Sequence, residues 1–401
     1  MKRATPNLFD FTQFDISEDR GFLPAQDPGE RLPQFPALEH LRTELPKLLT
    51  ARQLRHWINQ QEFLMPPEIL QDDPETCRSA FRVLSFTAHG YVWEDLHNPA
   101  QQLPAVLAVP WCRIAKKLGR PPVLSYASYA LENWRRLDST KPIVLDNIVL
   151  IQNFLGGLDE EWFVLVHVDI EAKAGRALAG LVHAQDAAGD DDVDEVISQL
   201  HTVAAAQEAM CHTLDHMQER CDPYIYYQRV RPYIHGSKDN PALPHGLVYE
   251  GVEEFQGHPQ QFRGETGAQS SIIPSLDAAL GVGHAEDPLT HYLHEMRQYM
   301  PPRHRAFIEA LEARKDEQGR PLLWGYARDR KVEKPELWKA YCQCVQLLAR
   351  FRGKHLEYAA SYIHHQKNLG RGNPTAVGTG GTPFMDYLKK HLEETQRFLE
   401  Q

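Results

Sequence analysis

A regular spacing of apolar residues near the C-terminus is the strongest constraint on how this chain folds. Apolar side chains recur every three or four residues at Leu337, Tyr341, Cys344, Val345, Leu348, Phe351, Tyr358, Ala359 and Tyr362. This is the period of a helix with one buried face. Pro335 precedes the pattern, in the first turn, where proline is favoured. The spacing therefore predicts a long helix that packs into the core.

His355 fills the gap in this apolar stripe, so its imidazole is expected to face the core. A buried imidazole needs a partner for its ring nitrogens. A structural hydrogen bond is the ordinary solution, and coordination of a haem iron is another. Arg352 lies three residues earlier on the same side of the helix, where a guanidinium could pair with a haem carboxylate. The local pattern alone leaves both solutions open.

The length and charge of the chain exclude several classes of protein. A chain of 401 residues exceeds the usual size of one core, which favours a large domain with a smaller one. The formal net charge of −11 gives no basic surface for nucleic acid. No apolar run approaches the roughly 18 residues of a membrane span, and no secretory leader pattern follows Met1. We therefore expect a cytoplasmic protein without a nucleic-acid or membrane partner.

The distribution of breaks along the chain indicates its organisation. The first 40 residues show no sustained period and are expected to form an extended arm, whereas residues 38–64 and 75–96 have helical patterns. A polar stretch at residues 138–142 marks a boundary near residue 150. We predict an all-α fold with a smaller, mostly helical N-terminal domain at residues 1–150 and a large helical domain at residues 151–401.

The segment that follows Gly156 and Gly157 is ambiguous in its secondary structure. Asp159 is suited to cap a helix whose first turn carries acidic residues. Residues 163–170 are rich in β-branched side chains, which a strand also favours. A second helix is expected at about residues 193–219, after an acidic turn that lacks the ligand spacing of a calcium loop.

Four blocks of sequence, in this order and spacing, resemble the indoleamine 2,3-dioxygenase family. They are residues 240–251 (NPALPHGLVYEG), 267–271 (GAQSS), 296–305 (MRQYMPPRHR) and 378–382 (GTGGT). The likeness extends from about residue 104 to the C-terminus and is weaker before it. The resemblance implies haem b as cofactor, with His355 as the proximal ligand of the iron; Arg352 is expected beside the haem from its position three residues before His355. It also implies that residues 163–170 are helical.

The resemblance further implies a reaction. The family inserts both atoms of O2 across the 2,3 double bond of an indole, which gives N-formylkynurenine from L-tryptophan in the kynurenine pathway. The implied partners are L-tryptophan or a related indole, O2 and an electron donor that keeps the iron ferrous. The haem carries the difficult chemistry, and the protein positions the indole and excludes water.

Arg231 matches the family's arginine for the substrate carboxylate, which its planar set of donors suits. Tyr226 and Tyr227 stand where the family has phenylalanines over the indole. Their phenolic oxygens leave the identity of the indole open.

Tyr126 and Phe163 match positions that line the substrate pocket, and Thr379 lies in a glycine-rich segment that forms a loop over the active site in the family. Each of the three is therefore expected to contact the substrate. From the residues alone, a glycine-rich stretch is more often only a flexible loop.

His167 stands where the mammalian enzymes have a serine. The related tryptophan 2,3-dioxygenase family has a histidine that meets the indole N–H, and by this resemblance His167 is the expected catalytic residue. The alternative is a buried histidine bonded to a backbone carbonyl.

The remaining histidines are poorer candidates. His212 and His216 are four residues apart but lack a third ligand, and His364 and His365 suit a helix end.

Two further functions stay open at the level of sequence. One is a haem oxygenase of the same fold that acts on a modified indole in secondary metabolism. The other is a non-catalytic haem sensor, which would have no need of the carboxylate-binding Arg231.

Overall fold

The computed structural model describes residues 10–65, 73–285, 287–366 and 384–398, and these residues are mostly helical. The first helices are α1 (Pro36–Thr50), α2 (Leu54–Asn59), α3 (Pro74–Trp93) and α4 (Ala105–Leu118). The middle of the chain forms α5 (Leu158–Gly189), α6 (Val193–Asp215), α7 (Met217–Arg220) and α8 (Pro223–Ile225). The last part forms α9 (Ile272–Leu280), α10 (Pro288–Met296), α11 (Pro302–Glu312), α12 (Leu322–Asp329), α13 (Pro335–Ala359) and α14 (Phe384–Phe398). The prediction of an all-α fold is confirmed.

Two small pairs of strands supplement the helices. The strands β1 (Gln102–Leu103) and β4 (Val248–Tyr249) pair in parallel, and β2 (Trp134–Arg136) and β3 (Ile148–Leu150) pair antiparallel. The β1–β4 pair joins segments on both sides of residue 150. The larger of two hydrophobic cores likewise contains side chains from both sides of residue 150. The domain boundary at residue 150 stays a prediction.

The central helix α5 packs against α6, and α13 packs against α6 and α14. Residues 163–170 lie within α5, so the helical prediction is confirmed and the strand alternative is wrong. Buried side chains occupy most of the circumference of α5, which explains why its sequence lacks a clear amphipathic period.

The N-terminal arm packs closely on α5 through two glycines. A Cβ atom at Gly175 would lie 2.5 Å from the carbonyl oxygen of Glu18, and Gly21 has a φ of +58° that favours glycine. Between a 3-10 turn at Phe11–Phe14 and the start of α1, Phe22 and Leu32 reach the core. The expected extended arm is therefore part of the folded body.

The apolar stripe at the C-terminus forms α13, as the spacing predicts. Leu337, Tyr341, Cys344, Val345 and Leu348 are all buried. The Sγ atom of Cys344 lies 3.2 Å from the carbonyl oxygen of Leu200 in α6. This face fixes α13 against α6 and thereby sets the direction of the side chains further along the helix, including His355.

None of the described helices is long and apolar enough to cross a membrane.

Candidate active site

A cavity of about 620 Å³ lies between α5, α9, α10, α13 and α14. Much of its wall is apolar, with Phe163, Leu214, Ile273, Leu293 and Phe351 among the lining residues. Its volume falls within the roughly 300–1,000 Å³ of typical ligand and cofactor sites.

His355 lies on α13 and lines this cavity. Its side chain is exposed to the space of the cavity and is not packed in the core. The protein around the cavity and the proximity of His167 lower the pKa of His355 to about 4, so its imidazole is neutral near pH 7. No described residue forms a hydrogen bond with it. A neutral imidazole that faces a large apolar cavity and has no hydrogen-bond partner among the described residues has the properties of an axial haem ligand. The side chain therefore fits the cofactor that the sequence implies.

Arg352 also lines the cavity, one turn before His355, but its two Nη atoms already have protein partners. Nη2 donates to Asp277 Oδ2 at 2.6 Å, and Nη1 donates to Thr395 Oγ1 at 2.6 Å. Burial alone would raise the pKa of Asp277, but the charge of Arg352 and the bond from His284 lower it to about 2. A haem carboxylate would share the guanidinium with Asp277, so the role of Arg352 at the haem stays a prediction.

His167 and Phe163 line the cavity from α5. His167 Nδ1 lies 2.7 Å from the carbonyl oxygen of Phe163, and burial lowers the pKa of the imidazole, which is therefore neutral. Because a carbonyl only accepts, Nδ1 must carry the proton, which leaves Nε2 as an acceptor. The backbone bond anticipated as an alternative is present, and it leaves one ring nitrogen available to a ligand.

The three tyrosines predicted at the substrate pocket are all buried, and Tyr126 contacts His167. Tyr226 lines the cavity, and its ring centroid lies 4.6 Å from that of Phe163. Tyr126 is buried behind this wall, where its ring meets that of His167 edge to face at 6.0 Å. Tyr227 is also buried and, among the described residues, is not part of the cavity lining.

Arg231 follows a π-helical turn at Tyr226–Val230, a type of irregularity that is frequent at functional sites. Its side chain is 1% exposed, and its guanidinium lies 5.2 Å from the centroid of the Tyr227 ring. Burial lowers its pKa. The described cavity lining does not include it, so its contact with a substrate carboxylate stays a prediction.

Two buried carboxyl groups beside the cavity were not identified from the sequence. Glu171 lies one turn after His167 on α5, and its Oε1 accepts hydrogen bonds from the hydroxyls of Tyr126 at 2.9 Å and Ser270 at 2.8 Å. Burial raises the pKa of Glu171 to about 7. Glu265 lines the cavity, and burial raises its pKa to about 8. The position of Glu171 four residues after His167 was the available signal, because such residues share a helix face.

The remaining histidine pairs do not contribute to the cavity. His212 and His216 lie with their ring centroids 5.0 Å apart, and His216 Nδ1 is 2.6 Å from Glu219 Oε1. His364 and His365 follow α13, outside the described lining. Thr379 lies outside the described residues.

The chain is similar to known proteins over nearly its whole length. The sequence profile described as indoleamine 2,3-dioxygenase matches residues 10–398. Indoleamine 2,3-dioxygenase 2 of Homo sapiens is 32% identical, with 98% of this chain and 96% of the relative covered. Indoleamine 2,3-dioxygenase 1 of Rattus norvegicus is 33% identical, with coverages of 96% and 95%. Indoleamine 2,3-dioxygenase nanC of Aspergillus nanangensis is 30% identical, with coverages of 98% and 97%.

Proposed function

The chain belongs to the indoleamine 2,3-dioxygenase family, and on that premise we propose that it cleaves the 2,3 bond of L-tryptophan with O2 to give N-formylkynurenine. It is a haem-dependent dioxygenase that acts on indoles. We propose further that L-tryptophan is its substrate, that it acts in the kynurenine pathway and that it needs an electron donor.

The observation that supports this function best is the pair of neutral imidazoles at one apolar cavity. His355 on α13 has no described hydrogen-bond partner, and His167 on α5 keeps one nitrogen as an acceptor. Haem held by His355 would supply the site of oxygen activation.

The residues of the chain would bind and orient the substrate. His167 Nε2 would accept the indole N–H, and Phe163 and Tyr226 would hold the ring against the cavity wall. Arg231 would bind the substrate carboxylate through its planar donors. The apolar wall would exclude water and so strengthen each of these contacts.

A second candidate substrate is a modified indole of secondary metabolism. Tyr226, whose side chain ends in a phenolic hydroxyl, and Glu265, a buried carboxyl group, both line the cavity. Such groups can hydrogen-bond a substituent that tryptophan lacks.

The two candidates are separated by comparing specificity constants. Haem-loaded, reduced protein is supplied with O2 and with L-tryptophan, D-tryptophan, tryptamine or hydroxylated tryptophans, and kcat/KM is measured for each. We expect the highest value for L-tryptophan. A substituted indole with a much higher value would replace L-tryptophan as the substrate.

A further inference from the structure

His89 is a buried histidine of α3 that lies outside the described cavity lining and joins two of the segments that form the site. Its Nδ1 lies 2.8 Å from the carbonyl oxygen of Tyr233, and its Nε2 lies 3.0 Å from the backbone nitrogen of Leu124. Tyr233 comes two residues after Arg231, and Leu124 comes two residues before Tyr126. One imidazole therefore connects the segment of the predicted carboxylate-binding arginine to the segment of a predicted pocket tyrosine.

Both ring nitrogens of His89 are used, and this fixes the form of the imidazole. A carbonyl oxygen only accepts and a backbone N–H only donates, so Nδ1 carries the proton and Nε2 accepts. Burial lowers the pKa of His89 to about 4, so the imidazole stays neutral near pH 7. An apolar side chain in its place would deprive both backbone groups of this partner, which is costly in the interior.

A second bridge joins these segments to the part of the chain that carries Glu265. The backbone nitrogen of Tyr126 donates to Gln269 Oε1 at 2.9 Å, and Gln269 Nε2 donates to the carbonyl oxygen of Gly264 at 2.9 Å. The backbone nitrogen of Glu265 donates to the carbonyl oxygen of Ile234 at 3.0 Å. Together with the histidine bridge, these bonds connect residues 124–126, 231–236 and 262–269 into one closed ring.

The second and third of these segments are in close backbone contact. A Cβ atom at Gly236 would lie 2.2 Å from the backbone nitrogen of Gly264, so a side chain has no space there. The first segment is held to the other two by side chains, those of His89 and Gln269. The separation between the first segment and the second therefore depends in part on the histidine bridge.

We propose that His89 is a positioning residue that holds Arg231 in register with the pocket segment of Tyr126, and so sets the preference for indoles that carry a carboxylate. This inference rests on the proposed function, in which Arg231 binds the substrate carboxylate. A substrate held at both its carboxylate and its ring requires the two segments at a fixed separation. An indole without a carboxylate is held by its ring alone and does not.

The test compares kcat/KM for L-tryptophan and for tryptamine, which lacks the carboxylate, in haem-loaded, reduced protein. His89→Met removes both hydrogen bonds with little change in side-chain volume, and His89→Leu is a second variant of this kind. Each should lower kcat/KM for L-tryptophan about 10- to 100-fold, mainly through KM, because small displacements far from the reacting atoms have effects of this size. The value for tryptamine should change much less. His89→Gln, whose amide both donates and accepts, should recover most of the loss.

The matched control is Ser85→Ala. Ser85 lies one turn before His89 on α3, and its Oγ accepts a hydrogen bond from Trp111 Nε1 at 3.0 Å in the core. This variant loses a buried hydrogen bond of the same helix but neither of the bonds to the two segments. Its ratio of the two kcat/KM values should therefore equal that of the wild type. A change as large as in the His89 variants would overturn the proposal, because any disturbance of α3 would then be sufficient.

Arg231→Leu, alone and combined with His89→Met, separates this inference from the proposed function. If His89 acts through Arg231, its replacement should lower kcat/KM for L-tryptophan little further once Arg231 is absent. Additive losses, or a changed ratio in Arg231→Leu but not in the His89 variants, would refute the inference alone. An unchanged ratio in Arg231→Leu would contradict the carboxylate contact itself, and the inference with it. Circular dichroism and haem content verify that each variant is folded.

Discussion

Replacement of His167 by serine should lower kcat/KM for an indole with a ring N–H. The decrease should be smaller for an indole without one. In the structure, Nδ1 is bonded to the Phe163 carbonyl, so only Nε2 can accept from a substrate. Serine is too short to occupy the same position. His167→Ser therefore leaves the buried indole N–H without its acceptor.

The size of the effect follows from the cost of an unpaired buried donor. That cost is about 1–3 kcal/mol, and each 1.4 kcal/mol changes a rate about tenfold. The kcat/KM for L-tryptophan should therefore fall about 10- to 100-fold, with haem still bound because His167 is not the iron ligand. For 1-methyl-tryptophan, which has no ring N–H, the change should be much smaller.

The assay measures kcat/KM for both substrates in the wild type and in His167→Ser, with haem content determined from the absorption spectrum. Equal losses for both substrates would refute the proposed hydrogen bond. Complete loss of turnover with haem intact would point to an obligatory acid–base role of His167 instead.

Three further predictions concern the rest of the site. His355→Ala should lose haem or shift its absorption bands, with recovery by added imidazole; a wild-type spectrum without imidazole would rule out His355 as the ligand. Arg231→Leu should lower kcat/KM for L-tryptophan at least about tenfold by removing a charge-assisted contact, and should barely affect indoles without a carboxylate; equal losses would indicate misfolding. Burial raises the pKa of Glu171 from 4.5 to about 7, so its contribution to stability falls as the pH rises through this interval. As the pH rises from 5 to 7, the free energy of unfolding of Glu171→Gln should therefore increase relative to that of the wild type by up to about 3 kcal/mol, as measured by denaturant titration. A difference that does not change with pH would show that Glu171 does not titrate in this interval.

Local periodicity predicted the parts of the fold that are governed by one helix face. The stripe from Leu337 onward placed His355 correctly on α13, because a 3.6-residue period determines which side chains face inward. The sequence of α5 lacks such a period, because its side chains are buried on most faces of the helix. There the resemblance to the family gave the correct helix.

The supporting contacts of the site could not be predicted from local sequence. Asp277 and Arg352 are 75 positions apart, and Tyr126 and Glu171 are 45 apart. Such pairs form only when helices from distant segments pack together. The raised pKa of Glu265 arises in the same way, because it depends on the protein that surrounds the carboxyl group in the folded state.

The direct test of the proposed reaction is the mass of the product formed from L-tryptophan and ¹⁸O2 by the reduced, haem-loaded protein. We predict N-formylkynurenine that carries two ¹⁸O atoms, because both atoms of one O2 are inserted across the cleaved bond. A product with one labelled atom, or recovery of unchanged tryptophan under conditions in which haem is bound and reduced, would contradict it.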